Sequence, residues 1–162
     1  MTQPPSLWYF AYGSNLDPAI FLERRRLAPL ASRCARLDGF ALSFDLPVGP
    51  GERGVANLVS AVAARTWGVA YHLTHDDALR LDRSEGVDRG YYVRLAVTVV
   101  GHPGDEPIAA FTYRSRHGVA GRKPSARYLG LLLAGARHHG LPADWIAHLE
   151  ALELALDERL PR

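Results

Sequence analysis

The residues best suited to chemistry lie in a polar loop that follows a hydrophobic strand near the start of the chain. Leu7–Tyr12 is predicted as the strand, and Gly13-Ser14-Asn15 follow it directly. Asp17-Pro18 favour the start of a helix, because Asp can cap a helix and Pro fits its first turn. A strand, a turn and a helix start in this order leave several backbone N–H groups free at one point. Such a point can bind a carboxylate or a developing oxyanion, although an ordinary turn after a buried strand has the same pattern.

Glu85 is the candidate for a catalytic carboxylate. Ala78, Leu81 and Glu85 are spaced i, i+3 and i+7 in a predicted helix and therefore share one face. Because Ala78 and Leu81 are apolar, this face should pack inward and carry Glu85 with it, at the C-terminal end of the helix. A partly buried carboxylate in this place is suited to general base catalysis. The alternative is that Glu85 is a surface residue of the last helical turn.

Five short motifs are spread along the chain over about residues 7–150. They are Tyr12-Gly13-Ser14-Asn15-Leu16, Leu81-Asp82-Arg83-Ser84-Glu85-Gly86, Gly90-Tyr91-Tyr92-Val93, Pro124-Ser125-Ala126-Arg127-Tyr128 and Gly140-Leu141-Pro142. Taken together and in this order, they resemble the gamma-glutamylcyclotransferase family, which includes AIG2-like proteins. Members of this family release 5-oxoproline from gamma-glutamyl compounds.

The resemblance implies a role for each residue of the site. Glu85 matches the family's catalytic glutamate, which would take a proton from the substrate's α-amine and later give one to the departing amine. The N–H groups around Gly13 and Ser14 would stabilise the oxyanion, and the Asn15 side chain would brace the loop. The implied substrate-binding residues are Tyr9, Phe10, Ala11, Tyr12, Gly13, Ser14, Asn15 and Tyr113. The implied reaction requires no metal, nucleotide or redox cofactor.

Three tyrosines outside the loop are assigned different roles. Tyr113 matches a substrate-contacting tyrosine of similar enzymes, but it also suits the wall of a barrel. Tyr92 is predicted to pack rather than to bind a ligand. Tyr128 is predicted to close one side of the pocket.

The amine side of the substrate is left open by the sequence. Amino acids, peptides, amines, glutathione and a protected tailoring intermediate all remain compatible. The walls of this part of the pocket are expected from loops 49–54 and 117–123. A second class of function is a non-catalytic module that retains the fold and binds a small acidic ligand, but such a module should have lost Glu85 or the loop. Both a monomer and a homodimer fit the resemblance.

Other chemistries fit the sequence poorly. Ser14 lacks the Gly-x-Ser-x-Gly elbow of a serine nucleophile. The seven histidines show no metal-ligand spacing. The loop Gly118–Pro124 has Pro where a phosphate-binding loop needs Ser or Thr after Lys. The densest basic cluster, Arg24-Arg25-Arg26, is predicted as a solvated helix face.

Composition is that of an ordinary globular protein. The 162 residues are predicted to form a single domain, residues 1–162, with 48% hydrophobic and 22% charged residues. A net charge of +2 predicts no nucleic-acid partner. The lone Cys34 excludes an internal disulfide and suits a reducing compartment. No signal peptide or membrane-spanning run is found, so a cytoplasmic protein is predicted.

The elements that must position these residues favour an α+β fold with largely antiparallel pairing, because strands come first, helices mostly last, and connections are short. The resemblance adds a small β-barrel of about six strands surrounded by helices. Thr74 is predicted to cap the helix that ends at about Glu85, with Gly86 stopping it. The predicted strands are Leu7–Tyr12, Leu37–Leu46, Val55–Val62, Thr66–Leu73, Tyr91–Val100 and Pro107–Arg114, and the other predicted helices are Pro18–Arg26, Ser125–His139 and Ala143–Leu156.

Overall fold

Five strands form a closed barrel at the centre of the computed structural model, which describes residues 5–156. The strands are β1 (Ser6–Ala11), β2 (Ala31–Pro47), β3 (Gly54–Thr74), β4 (Val93–Gly101) and β5 (Pro107–Arg114). Their order around the barrel is β1-β3-β2-β4-β5, and β1 closes the barrel by pairing with β5. That pairing is parallel and the other four are antiparallel. The predicted α+β fold with a mostly antiparallel barrel is confirmed.

The barrel has five strands rather than six because the predicted strands Val55–Val62 and Thr66–Leu73 are one continuous strand, β3. Ala63-Ala64-Arg65 between them contains no turn-forming residue, so the strand runs on. The hairpin bulges here without breaking. Four residues of β3, 61–64, lie opposite the single Gly39 of β2, which has a φ of 85°. A glycine adopts this conformation without strain, and the resulting bulge lets a long hairpin curve around a barrel.

Three α-helices complete the fold: α1 (His75–Ser84), α2 (Ala126–His138) and α3 (Ala143–Glu150). Thr74 caps α1 as predicted, since its Oγ1 accepts a hydrogen bond from the Asp77 N–H at 3.2 Å. The third helix ends before the predicted Leu156, because the chain turns away and the Ala155 N–H donates to the Pro124 carbonyl at 2.9 Å. Within residues 5–156, no helix is both long and apolar enough to cross a bilayer.

Helix α2 supports the polar loop that follows β1. Gly135 in this helix lies directly against Leu16, where an added Cβ would come within 2.4 Å of the Leu16 carbonyl carbon. Leu132 and Ala136 beside it are fully buried, as is Leu16. The hydrophobic core therefore extends from the barrel to the back of the loop, and burial of these apolar groups holds the loop in place.

Candidate active site

A pocket opens where the loop after β1 meets the end of α1 and the start of β3. Of the residues that the structure describes, Glu85 is the only carboxylate on its wall, and five tyrosines line the same space. The lining residues are Tyr9, Tyr12, Gly13, Ser14, Asn15, Ala56, Glu85, Tyr92, Tyr113 and Tyr128. We call this space the glutamyl pocket, because the resemblance assigns the glutamyl part of a substrate to the same loop.

Glu85 is held at the end of α1 with one carboxylate oxygen open. It is the residue that follows the last helical residue, Ser84, and its side chain is 13% exposed. Its Oε1 accepts a hydrogen bond from Asn15 Nδ2 at 2.8 Å and lies 3.5 Å from a terminal nitrogen of Arg25. In residues 5–156, no hydrogen-bond donor reaches Oε2. This arrangement orients the carboxylate and leaves one oxygen able to take a proton.

Gly86 ends the helix immediately after this carboxylate. It adopts the left-handed conformation, with a φ of 71°, and an added Cβ would lie 2.5 Å from the Tyr91 ring. Only glycine satisfies both the backbone angle and the close contact without cost. The predicted end of the helix is confirmed, and it fixes Glu85 at the pocket rather than inside a longer helix.

Asn15 connects three residues of the site. Besides Glu85, its Nδ2 donates to the Tyr9 hydroxyl at 2.9 Å, and its Oδ1 accepts from Arg25 Nε at 2.7 Å. The side chain is therefore used to orient the carboxylate and the guanidinium, whereas the sequence predicted that it braces its own loop. Asn15 is buried. The low dielectric of the protein interior strengthens the hydrogen bonds of its side chain.

Arg25 is the residue that sequence reasoning missed. The basic cluster was predicted as a solvated face, and this is correct for the exposed Arg24 and Arg26 but wrong for Arg25. The predicted helix over Pro18–Arg26 is a short π-type helix, in which the Arg25 N–H donates to the Ile20 carbonyl, five residues earlier. The wider turn changes which side chains share a face, and it places Arg25 against Glu85 rather than in solvent.

The loop backbone is tightly folded beside the carboxylate. The Leu16 N–H donates to the Gly13 carbonyl and the Asp17 N–H to the Ser14 carbonyl, both at 3.0 Å. Among the described residues, neither Gly13 nor Ser14 uses its own N–H in a loop hydrogen bond to another backbone carbonyl. A Cβ at Gly13 would lie 3.1 Å from the Tyr128 hydroxyl, so a side chain there would narrow the pocket.

The pocket tyrosines remain protonated near neutral pH. Burial raises the pKa values of Tyr9 and Tyr12 well above the usual range, and the charge of Glu85 raises both further. Burial also raises the pKa values of Tyr92 and Tyr113, and that of Tyr128 to about 12. These phenols can therefore donate hydrogen bonds but cannot serve as bases near neutral pH. Among the described residues, Glu85 is the carboxylate that remains on the pocket wall.

Three of these phenols donate hydrogen bonds to other groups of the protein. The Tyr12 hydroxyl donates to the Tyr113 carbonyl at 2.6 Å, and the Tyr92 hydroxyl donates to the Ala56 carbonyl at 3.2 Å. The Tyr113 hydroxyl donates to Asp82 Oδ1 at 2.5 Å. Tyr92 thus packs, as predicted, and also lines the pocket. Tyr128 forms one side of the pocket, where the sequence placed it.

Two of the predicted binding residues do not reach the pocket. Phe10 and Ala11 are fully buried and belong to the hydrophobic core. Because neighbouring residues of a strand point to opposite faces, a strand that presents Tyr9 to the pocket turns Phe10 away from it. Arg53 and Gly54 of the loop 49–54 line a cavity beside the glutamyl pocket, but the loop 117–123, also expected on the amine side, lines neither space. Arg122 in this loop instead donates to the carbonyls of Gly49 and Arg53 at 2.9 and 3.0 Å.

Comparison with known proteins places this site in a family. A model of the AIG2-like family matches residues 65–149. A gamma-glutamylcyclotransferase from Bos taurus is 33% identical over 152 residues, which cover 91% of this chain and 79% of the bovine protein. A gamma-glutamylcyclotransferase from Homo sapiens is 32% identical over 155 residues, with the same coverage. The chain belongs to the gamma-glutamylcyclotransferase family.

Solved structures of this family share the fold. One gamma-glutamyl cyclotransferase structure has a TM-score of 0.83 and 28% identity, covering 92% of this chain and 89% of the other. A human protein described as uncharacterized protein loc79017 has a TM-score of 0.81 with the same identity and coverage.

The five motifs that indicated the family do not contain Arg25. For this reason Arg25 could not be found from them.

Proposed function

We propose that this chain is a gamma-glutamylcyclotransferase that converts the gamma-glutamyl group of its substrate to 5-oxoproline and releases the amine. The relatives that cover most of the chain carry this activity in their names. The observation that carries the proposal for the site is the geometry of Glu85. It is the one carboxylate on the glutamyl pocket, oriented by Asn15 and Arg25 with Oε2 open, beside the Gly13–Ser14 backbone.

The reaction needs one proton acceptor. The substrate's α-amine is largely an ammonium at neutral pH and cannot attack. Glu85 takes a proton from it through Oε2, and the freed amine attacks the gamma-carbonyl carbon. A C–N bond forms and closes the five-membered ring. The C–N bond to the leaving amine then breaks as Glu85 gives its proton to that nitrogen. The ring nitrogen still carries one proton more than the product lactam, and Glu85 takes this second proton and passes it to the departing amine. The products are 5-oxoproline and the amine, which leaves as an ammonium, so that both protons are accounted for.

Because the nucleophile and the carbonyl belong to one molecule, the pocket's main task is to hold the substrate folded. A correctly oriented intramolecular attack removes much of the entropic barrier. Five tyrosines line the space proposed for the glutamyl part. The backbone N–H groups around Gly13 and Ser14, at the same wall, would stabilise the oxyanion of the tetrahedral intermediate.

The proposed place of action is the cytoplasm. Cys34 is the single cysteine of the chain, and burial raises the pKa of its thiol. A half-buried thiol with this property is poorly reactive and suits a packing role in a reducing compartment.

The proposal is tested by product analysis with isomeric substrates. The purified protein is incubated with gamma-glutamyl-leucine and with α-glutamyl-leucine, and 5-oxoproline and leucine are quantified by mass spectrometry. We expect equimolar release of both products from the gamma isomer and none from the α isomer, in which the amide is at the wrong carbonyl. A gamma-glutamylamine and glutathione extend the panel. Absence of 5-oxoproline from every gamma-glutamyl compound would overturn the proposal.

A further inference from the structure

A second cavity, of about 340 Å³, adjoins the glutamyl pocket, and its size is in the range of small-molecule sites. The turn between β2 and β3, the start of α2 and the segment after α3 form its walls. Most of its lining is apolar, from Val48, Val55, Ala126, Leu131 and Ala155. We call this space the side cavity.

The side cavity shares wall residues with the active site. Tyr128 lines both the side cavity and the glutamyl pocket. Val48 and Val55 also line the mouth of the active site, together with Glu85 and Ser14. A substrate whose glutamyl part lies against Glu85 would therefore have its amine part directed past Tyr128 towards the side cavity.

The charged side chains that line the side cavity, among residues 5–156, are both arginines. They are Arg53 and Arg127. The Nε of Arg53 is buried without a hydrogen-bond partner among the described residues, and none of the ion pairs found there includes Arg53. Ala126 and Arg127 belong to the first turn of α2, where backbone N–H groups have no acceptor within the helix and favour an anion.

We propose that the side cavity binds the amine part of the substrate as an apolar amino acid, whose carboxylate pairs with Arg53. This inference rests on the proposed function, because it assumes a gamma-glutamyl group in the neighbouring pocket. The apolar walls select a side chain such as that of leucine. The unpartnered guanidinium selects an amino acid over a simple amine, since a gamma-glutamylamine has no carboxylate to offer. The preferred substrates are therefore gamma-glutamyl derivatives of apolar amino acids.

The test measures binding without chemistry. Glutaryl-L-leucine and glutaryl-3-methylbutylamide lack the α-amine and cannot cyclise, and they differ from one another only in the carboxylate. Their dissociation constants are measured by calorimetry for the wild-type protein, Arg53→Met and Arg65→Met, the last being an exposed arginine away from the cavity. We expect the leucine compound to bind about tenfold or more tightly, in keeping with a charge-assisted hydrogen bond. That difference should disappear in Arg53→Met and persist in Arg65→Met.

Several results would overturn the inference. Equal binding of the two compounds to the wild-type protein, no binding of either, or an unchanged preference in Arg53→Met would each do so. Equally tight binding of glutaryl-L-asparagine, which is similar in size but polar, would also contradict the apolar selection. Failure of the proposed function is seen separately, as absence of 5-oxoproline from gamma-glutamyl-leucine, because the glutaryl compounds report binding alone.

Discussion

At the scale of single residues, one carboxylate depends on neighbours from a distant part of the chain. Asn15 and Arg25 both contact Oε1 of Glu85, and Arg25 also bonds to Asn15 through its Nε. The three side chains form a closed triangle in which each contact supports the others. A base must lie within hydrogen-bond reach of the proton that it takes. We therefore expect the positioning of Glu85 by Asn15 and Arg25 to affect the rate of turnover more than the affinity for substrate.

Arg25→Met tests this positioning role. The variant loses the three contacts of the guanidinium, to Glu85, Asn15 and Ser84, but keeps the aliphatic length of the side chain. Glu85 is then held by Asn15 alone. We expect kcat to fall about tenfold or more, which corresponds to about 1.4 kcal/mol, with KM changed much less. Steady-state kinetics on gamma-glutamyl-leucine measures both constants.

The matched control is Arg24→Met, an exposed arginine of the same short helix, which should leave kcat unchanged. Equal loss in the two variants would indicate a general effect of charge or of helix stability. An unchanged kcat in Arg25→Met would remove this residue from the account.

Glu85 and the loop could be predicted from the sequence, but Arg25 could not. Helical spacing with Ala78 and Leu81 predicted that Glu85 faces inward, and both apolar residues are fully buried. Arg25 lies 60 positions away from Glu85 along the chain and sits among two other arginines. Its role depends on a π-type turn, and no local pattern in the sequence indicates such a turn.

At the scale of secondary structure, helix α2 controls the position of the loop. Gly135 allows the helix to approach Leu16 closely. Leu16 lies two positions after the loop residue Ser14, so the helix contacts the end of the loop. We expect Gly135→Ala to cost about 1–3 kcal/mol, the usual effect of overfilling a packed core. Turnover should fall as well, because the displaced Leu16 moves the N–H groups of the loop. Chemical denaturation and 5-oxoproline release measure the two effects.

Gly130→Ala in the same helix is the control. Gly130 is exposed, and an added Cβ would meet no atom within 4 Å. This variant should be about 0.5–1 kcal/mol more stable, because alanine has the higher helix propensity, and fully active. If Gly135→Ala behaved in the same way as Gly130→Ala, the close packing of α2 on the loop would be contradicted.

The helices and strands were largely predictable because their signals are local. Caps at Thr74 and Ser125 accept hydrogen bonds from Asp77 and Tyr128, and each begins its helix as predicted. The single long strand β3 was not predictable. Whether this strand bends or breaks depends on its pairing with β2. Residues 61–64 of β3 form a bulge opposite Gly39, and the strand stays continuous.

At the scale of the whole molecule, closure of the barrel assembles the pocket. Pairing of β1 with β5 brings the rings of Tyr9 and Tyr113 to 5.4 Å, although they are far apart in the sequence. The Thr112 hydroxyl reinforces this seam by donating to the Phe10 carbonyl at 2.8 Å. The strand pattern alone was equally compatible with an open sheet. The barrel was predicted from the family resemblance, because pairing of distant strands leaves no local trace.

The measurement that tests the account most directly is 5-oxoproline release by Glu85→Gln. The amide keeps the size of the side chain and can still accept the hydrogen bond from Asn15, but it cannot take the ammonium proton. Glu23→Gln, at an exposed position, is the control. With thermal unfolding unchanged in both variants, we predict that turnover of gamma-glutamyl-leucine falls by about 10²- to 10⁴-fold in Glu85→Gln alone. Turnover within a few-fold of the wild-type rate would contradict the role of Glu85 as the base.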